Sequence, residues 1–372
     1  MTKATTPTEE RAMSVPLHGT AQRYALLADD IVEVVEEIAG GDEFILKSRV
    51  AAVETGLAAR LGAAHAVACA NTTGGLLLVL RALGIGPGDE VLVPAWAEWP
   101  VLSAVGSAGA RPVLVDVEED DGALNAALAE NACSPATRAV LTIAAGRPLL
   151  DLAGRLGVPV IELLGTRSET RVSPVADNVT RVLALRPEGV LGGIGDAAVI
   201  LTDDSRVSEL CRTLRNHGQD LRTRFLYHHI GYNSRMDELC AAFLLRRLPE
   251  LDPLHEEQAS LAGRYADSLR PLQDVRIVSE GRSAAADGFL IRTARRDALQ
   301  HHLAARSVET ARPRPVALHR DPSVRQLAVI TGEYPVAERL AAETLVLPLY
   351  PGLSMETVGR VADLVAEFGA TR

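Results

Sequence analysis

Apolar residues fall along the chain in two alternating rhythms. RVAAVETGLAARLG (49–62) spaces them as a helix does, and AVACA (66–70) follows as a short strand running into NTTGG (71–75). LLLVLRALG then predicts an apolar helix that stops at GIGPGD. Beyond it strand EVLVPA, helix PVLSAVGSAG, strand RPVLVDV, helix DGALNAALAENA, strand AVLTIAA, helix LLDLAGRLG and strand VPVIELLG alternate with short connections. This alternation predicts an α/β fold whose mostly parallel sheet is sandwiched by helices. From about residue 205 helices dominate (SELCRTLRNHG, MDELCAAFLLRRLPEL and 253–271), and 275–372 mixes strands such as VRIVS and GFLIRT with helices. The expected organisation is a flexible arm over 1–20, a large domain over 21–252 and a small C-terminal α/β domain over 253–372.

Composition narrows the function classes. The chain has 372 residues, 47% hydrophobic and 23% charged, with a net charge of −10 and no basic block. That balance argues against nucleic acid or an anionic membrane as partner. No apolar run reaches spanning length and MTKATTPTEERAMS lacks a signal-peptide core, so a cytoplasmic protein is expected. Cys69, Cys133, Cys211 and Cys240 are scattered, which predicts neither disulfides nor a metal site. Lysine occurs only as Lys3 and Lys47, so chemistry that needs a lysine amine has almost nowhere to go.

RPEGVLGGIGDAAVILTDD (186–204) reads as a glycine-rich reactive loop between two strands, with Gly189 where a nucleophile would stand. Around it, in order, come ALGIGPGDEVLVPA (82–95), GARPVLVDVEED (109–120), GRPLLDLAGRLGVPVIE (146–162), LRNHG (214–218), GYNSRMDELCAA (231–242), VALHRDP (316–322) and PVAERLAAETLVLPLYPGLS (335–354). Together, over about residues 44–369, these resemble the DegT/DnrJ/EryC1/StrS family of pyridoxal-phosphate aminotransferases that act mainly on nucleotide-linked keto-sugars and aminocyclitols. The resemblance implies the type I aminotransferase fold, with a seven-stranded-type sheet domain and a smaller C-terminal domain.

It also implies provisions for the cofactor that this chain departs from. Aligning Pro187, Leu191, Gly192, Gly195 and Asp196 with the family's lysine stretch places Gly189 at the Schiff-base lysine, and a one-residue slip places Val190 there. The family's serine in that stretch falls on Ala184, and no histidine lies between His65 and His217 to replace the lysine. The ring-nitrogen carboxylate becomes Leu163, with Thr166 for the usual glutamine, while the stacking aromatic becomes Glu98, flanked by Trp96 and Trp99. The phosphate turn reads Asn71-Thr72-Thr73-Gly74. Thr73 and the helix start suit an anion, though either threonine also reads as a plain helix cap. Trp96 and Trp99 read equally as core or interface anchors.

Asn233, whose counterpart in the family reaches across to the neighbouring subunit's phosphate, and Arg235 of the same motif are retained, as are His217 and His319; Asn233 and Arg235 also suit a simple helix start. Lys47 reads as a surface lysine or as a remote substitute for the lost amine. These readings predict a protein of amino-sugar or specialised-metabolite biosynthesis that uses no covalently bound cofactor. It would be a pyridoxal-phosphate-independent enzyme reusing the vacated pocket, with Glu98 and His217 as catalytic candidates. Thr72, Thr73, Gly74, Trp96, Arg186, Asn233, Arg235 and Arg314 would bind a phosphorylated or nucleotide-linked substrate. The alternatives are a non-catalytic subunit pairing with an active aminotransferase paralogue and an ordinary pyridoxal-phosphate aminotransferase, and the chain is expected to form a homodimer or a heterodimer with such a paralogue.

Overall fold

The computed structural model describes residues 14–165, 178–278 and 288–370. Thr20–Leu26 (α1), Ala28–Ala39 (α2) and Ser48–Leu61 (α3) lead into His65–Cys69 (β1) and Thr72–Ala82 (α4). Glu90–Pro94 (β2), Trp99–Ser107 (α5), Arg111–Val115 (β3), Ala126–Ala132 (α6), Thr137–Thr142 (β4), Arg147–Leu156 (α7) and Val160–Leu164 (β5) alternate as the pattern predicts. Val179–Ala184 (β6) and Ala198–Thr202 (β7) complete the large sheet. Ser205–Leu214 (α8), Glu238–Arg247 (α9) and Leu251–Leu269 (α10) follow. The chain ends with Arg276–Ile277 (β8), Phe289–Arg292 (β9), Arg296–Ala304 (α11), Val324–Leu327 (α12), Pro335–Glu343 (α13), Thr344–Leu347 (β10) and Met355–Ala370 (α14).

The seven strands lie in the order β1-β7-β6-β5-β4-β2-β3. Pairing is parallel from β3 through to β6, while β7 runs antiparallel to both β6 and β1. Side-chain alternation sorts the strand residues between the two faces of the sheet. Val91 and Val93 of β2, Ile161 and Leu163 of β5, Val182 of β6 and Ile200 of β7 pack on one face with Leu76 and Val79 of α4 and Leu102 of α5. Leu164, Leu183, Val199 and Leu201 pack on the other with Val53 and Leu57 of α3 and Leu244 of α9. The second sheet, β10-β9-β8, has its own core with α10, α11 and α14. No helix among the described residues is long and apolar enough to cross a membrane.

The amino-terminal segment differs from expectation. Residues 14–20 were predicted to belong to a flexible arm, yet Val15 is buried, bridges to Val308, and its amide donates to Ser307 O at 2.8 Å. The amide of Leu17 donates to Glu309 Oε2 at 3.1 Å. Helices α1 and α2 went unanticipated between that arm and residue 49; α2 buries Val34 and Ile38 against Ala242 of α9. Thr166 lies outside the described residues.

The cysteines are unpaired. Burial pushes the thiols of Cys69 and Cys240 up to about 12, and that of Cys211 in the same direction. At pH 8 a thiol with a pKa near 12 is thiolate to a fraction on the order of 10⁻⁴. Ellman's reagent should therefore titrate one thiol of the native protein, that of the half-buried Cys133, and the other three only after denaturation. Rapid uptake of more than one equivalent by native protein would contradict this assignment.

Candidate active site

Along the chain β2 leads to β3 on one side of the sheet, and β4, β5 and β6 extend to the other, so the order reverses between β2 and β4. Such a reversal opens a crevice at the carboxyl ends of the strands. The turn after β2 carries Trp96 and Glu98, and Arg186 follows β6. A cleft of about 570 Å³ opens here, and Ala97, Glu98, Arg186 and Arg314 line it.

Trp96 is the floor of this corner. It is fully buried, and its indole N–H donates to Arg314 O at 3.3 Å. Gly122, at φ +69°, makes room for it: a Cβ there would sit 2.6 Å from Trp96 Cζ3. The Arg314 guanidinium lies over the indole, 4.5 Å from the ring centroid, a favourable stacking of cation on π face. Glu98 holds the N-cap position of α5 but makes no capping bond. Its carboxylate is 3.6 Å from Arg314 Nη2 and 3.8 Å from Arg186 Nη1. Burial weakens the hold of Arg314 on its proton, and Glu98 opposes that. Trp96 is thus a core anchor, as one reading of the sequence had it, while Trp99 is exposed.

The helix start at α4 forms a second, separate feature. Asn71 is its cap, accepting from Gly74 N at 2.8 Å, so neither Thr72 nor Thr73 has that duty. Ser234, just after Asn233, is buried with its hydroxyl unpartnered, and a Cβ on Gly74 would meet that oxygen at 2.6 Å. Free amides and an orphan hydroxyl at a helix N-terminus suit a phosphate. Asn233 is exposed, whereas Arg235 Nη1 donates to Asn216 Oδ1 at 3.1 Å. Ser234 was missed in the sequence; its position beside Asn233 was the only signal.

Loop 186–195 is sewn down by its carbonyls. Arg23 of α1 donates to Gly189 O at 2.8 Å and Val190 O at 3.0 Å, and Arg247 Nε of α9 donates to Leu191 O at 3.4 Å. Leu163 lies in the apolar core, and Ala184 pairs with Ala198 between strands. Glu162 is a structural ion, bound to Arg181 Nε at 2.8 Å and accepting from Ala145 N at 2.9 Å. Neither His217 nor Lys47 lines the cleft, and both are exposed. His319 is held by Glu338 at 2.8 Å and stacks on Tyr334.

The fit to pyridoxal phosphate is therefore divided. The phosphate end finds backbone amides and the Ser234 hydroxyl. Where the resemblance would put the ring, loop 186–195 offers no amine, Leu163 is apolar core, and Glu98 stands beside Arg186 and Arg314. No transamination step is assigned to these side chains.

The DegT/DnrJ/EryC1/StrS aminotransferase family pattern matches residues 26–366. A dTDP-3-amino-3,4,6-trideoxy-alpha-D-glucose transaminase of Streptomyces venezuelae is 33% identical over 95% of this chain and 96% of its own. A pleiotropic regulatory protein of Geobacillus stearothermophilus is 31% identical over 96% of this chain and 99% of its own. In structure, S. venezuelae DesV in complex with a ketimine intermediate superposes with a TM-score of 0.87 at 31% identity, over 96% of this chain and 99% of that one.

These relatives correct three expectations. A pseudoenzyme, a pyridoxal-phosphate-independent enzyme and a protein without cofactor all conflict with relatives of this identity and coverage that are named as sugar transaminases or hold a ketimine. The departures that the resemblance suggests at Gly189, Leu163 and Glu98 therefore do not amount to abandonment of the cofactor, because the weight lies with the whole scaffold. Matched from end to end in sequence and in fold, the chain belongs to the DegT/DnrJ/EryC1/StrS aminotransferase family.

Proposed function

We propose that the protein is a sugar aminotransferase of amino-sugar biosynthesis that acts on a nucleotide-linked keto-sugar. Its cofactor is of the pyridoxal-phosphate class and is held chiefly through its phosphate. The observation that supports this reading is the start of α4, where Gly74 packs against the buried, unpartnered Ser234 hydroxyl at a helix N-terminus that suits a phosphate. Whole-length similarity to a dTDP-sugar transaminase supports the substrate class. When bound, such a cofactor supplies an electron sink for moving an amino group. This chain contributes the seat, the closed floor at Trp96 and the pinned loop 186–195.

A working pair of identical subunits is part of the proposal. Leu221, Phe225, Leu226, Tyr227 and Ile230 are all exposed on one excursion between α8 and α9, with Ile230 at 97%, and such a patch suits burial against a second copy. Unpaired cysteines suit a reducing cytoplasm.

Titration with pyridoxamine phosphate and pyridoxal phosphate, followed by absorbance, tests the reading together with amination of a dTDP-linked keto-sugar followed by mass spectrometry. Saturable binding and a mass change to the amino sugar are expected. Borohydride should leave no pyridoxyl group on any peptide from 186–195. Failure to bind either form of the cofactor would sink the proposal.

A further inference from the structure

We infer that the hairpin between α8 and α9 of one subunit docks on the outer face of α2 in a second copy of this chain, arginines of the hairpin meeting carboxylates of the helix; this deepens the paired-subunit reading and rests on it. The hairpin is an ordered arm. Gln219 bridges antiparallel to Tyr227, Asp220 N donates to Leu226 O at 2.8 Å, and His228 N donates to Gly218 O at 3.1 Å. The Asp220 carboxylate fastens the turn, accepting from Arg222 N at 2.9 Å and Thr223 N at 2.6 Å. Phe225, Tyr227 and Ile230 are thus held out in water on a fixed frame. Such preorganisation lowers the ordering cost of burying them against a partner.

Helix α2 has an apolar face beyond the one its own core uses. Val34 and Ile38 pack inward, while Ala28, Val32, Val35 and Ala39 recur at i, i+4, i+7 and i+11 and are all exposed. That spacing is the stripe of a helix that meets another element. Leu26, 86% exposed at the end of α1, lengthens it. Exposed Phe44 and Ile45 continue the surface toward α9, where Phe44 O accepts from Glu238 N at 2.9 Å and Ile45 bridges to Asp237. A two-fold pair brings hairpin to helix and helix to hairpin at once, so both surfaces are covered and the assembly closes.

Charge decides which surface meets which. Among the described residues no carboxylate pairs with Arg222 or Arg224, both exposed, and Arg224 lies over the Phe225 ring at 4.8 Å. On α2, Arg246 engages Asp30, Glu33 and Glu37. Asp29 and Glu36 have no such cation; each follows a stripe residue, Ala28 or Val35, along one exposed edge. Pairing α2 with its own copy would set these carboxylates against each other, and pairing two hairpins would do the same to the arginines. Hairpin on helix joins opposite charges, and like-charge juxtaposition penalises the other two arrangements.

The test exchanges the charges in two full-length variants with different tags, read by native mass spectrometry. One carries Arg222→Glu with Arg224→Glu, the other Asp29→Lys with Glu36→Lys. Wild type should be a dimer, and each variant alone should dissociate with a constant at least about 10-fold higher. An equimolar mixture should recover a heterodimer of near wild-type affinity, because both of its contacts again join opposite charges. Val35→Ser and Ile230→Ser, which change no charge, should each weaken the pair as well, and they carry the test if a charge variant fails to fold. Self-pairing of either element would leave one charge variant with wild-type affinity, and that result overturns the inference. So does a weakened pair that mixing does not rescue. If wild type and both charge variants dimerise equally, the docking falls and the paired-subunit reading stands. A wild-type chain that stays monomeric removes both, while binding of pyridoxamine phosphate still tests the aminotransferase reading by itself.

Discussion

Replacing Glu54 by alanine should lower the free energy of unfolding by about 3–5 kcal/mol, read as a shift of the urea midpoint with an unchanged slope. Glu54 sits on α3 at 5% exposure, facing the edge strand β1. One carboxylate oxygen pairs with Arg215 Nη1 at 2.6 Å and accepts from Ala68 N at 2.9 Å, while the other pairs with Arg212. Arg212 also donates to Ala66 O, and Arg215 to Ala68 O, so one carboxylate ties α3, β1 and the end of α8 together. Without it Arg215, whose side chain is 8% exposed, stays buried beside strand carbonyls with its charge uncompensated. That half-removed state is the costly one; replacing all three members by apolar residues would cost far less. Arg212 is 30% exposed and screened by solvent, so its single loss should be milder than that of Arg215. A loss at Glu54→Ala below about 1 kcal/mol would show that water screens the cluster and that this account of it is wrong.

The strands and most helices were legible because their apolar periodicity is local, and Leu163 and Ala184 were already recognisable as apolar where the family is polar. The contacts that hold the cleft and the neighbouring loop 186–195 were not legible. Arg23 reaches Gly189 across 166 positions, and Trp96 reaches Arg314 across 218. A guanidinium donating to main-chain carbonyls leaves no trace in the residue types at 189 and 190, since any residue has a carbonyl. Glu98 could be suspected from its neighbours, but its failure to cap α5 could not. His217 went the other way. Its place in LRNHG suggested chemistry, yet it is exposed in the left-handed region at φ 62°, its amide bonded to Tyr232 O at 2.9 Å. Family motifs and cofactor losses were both readable, and only end-to-end similarity decided how to weigh them.

Gly231→Ala should cost about 3 kcal/mol or more and weaken cofactor binding at the start of α4. The glycines of LRNHG and GYNSRM prove to be two halves of one device. A Cβ on Gly231 would lie 2.3 Å from Gly218 N, 2.5 Å from Leu214 O and 2.6 Å from His217 C. All three are backbone atoms, so no flexible side chain can swing away. Gly218 is as tightly placed: at φ +82° its Cβ would meet His229 O at 1.9 Å. Two backbone segments thus cross at van der Waals distance, locked by Tyr232 N to Leu214 O at 2.7 Å and Ser234 N to Arg215 O at 2.9 Å. The crossing sets Ser234 against Gly74 and leaves Asn233 exposed beside it. Pushing the segments apart therefore moves the phosphate seat as well as the core. Melting temperature and pyridoxamine phosphate affinity should both fall in the variant. A change away from the crossing, Gly263→Ala inside α10, where a Cβ meets nothing within 4 Å, should leave the affinity unchanged and, if anything, raise the melting temperature. A Gly231→Ala protein with native stability and native affinity would mean that the two motifs are not coupled through their backbones.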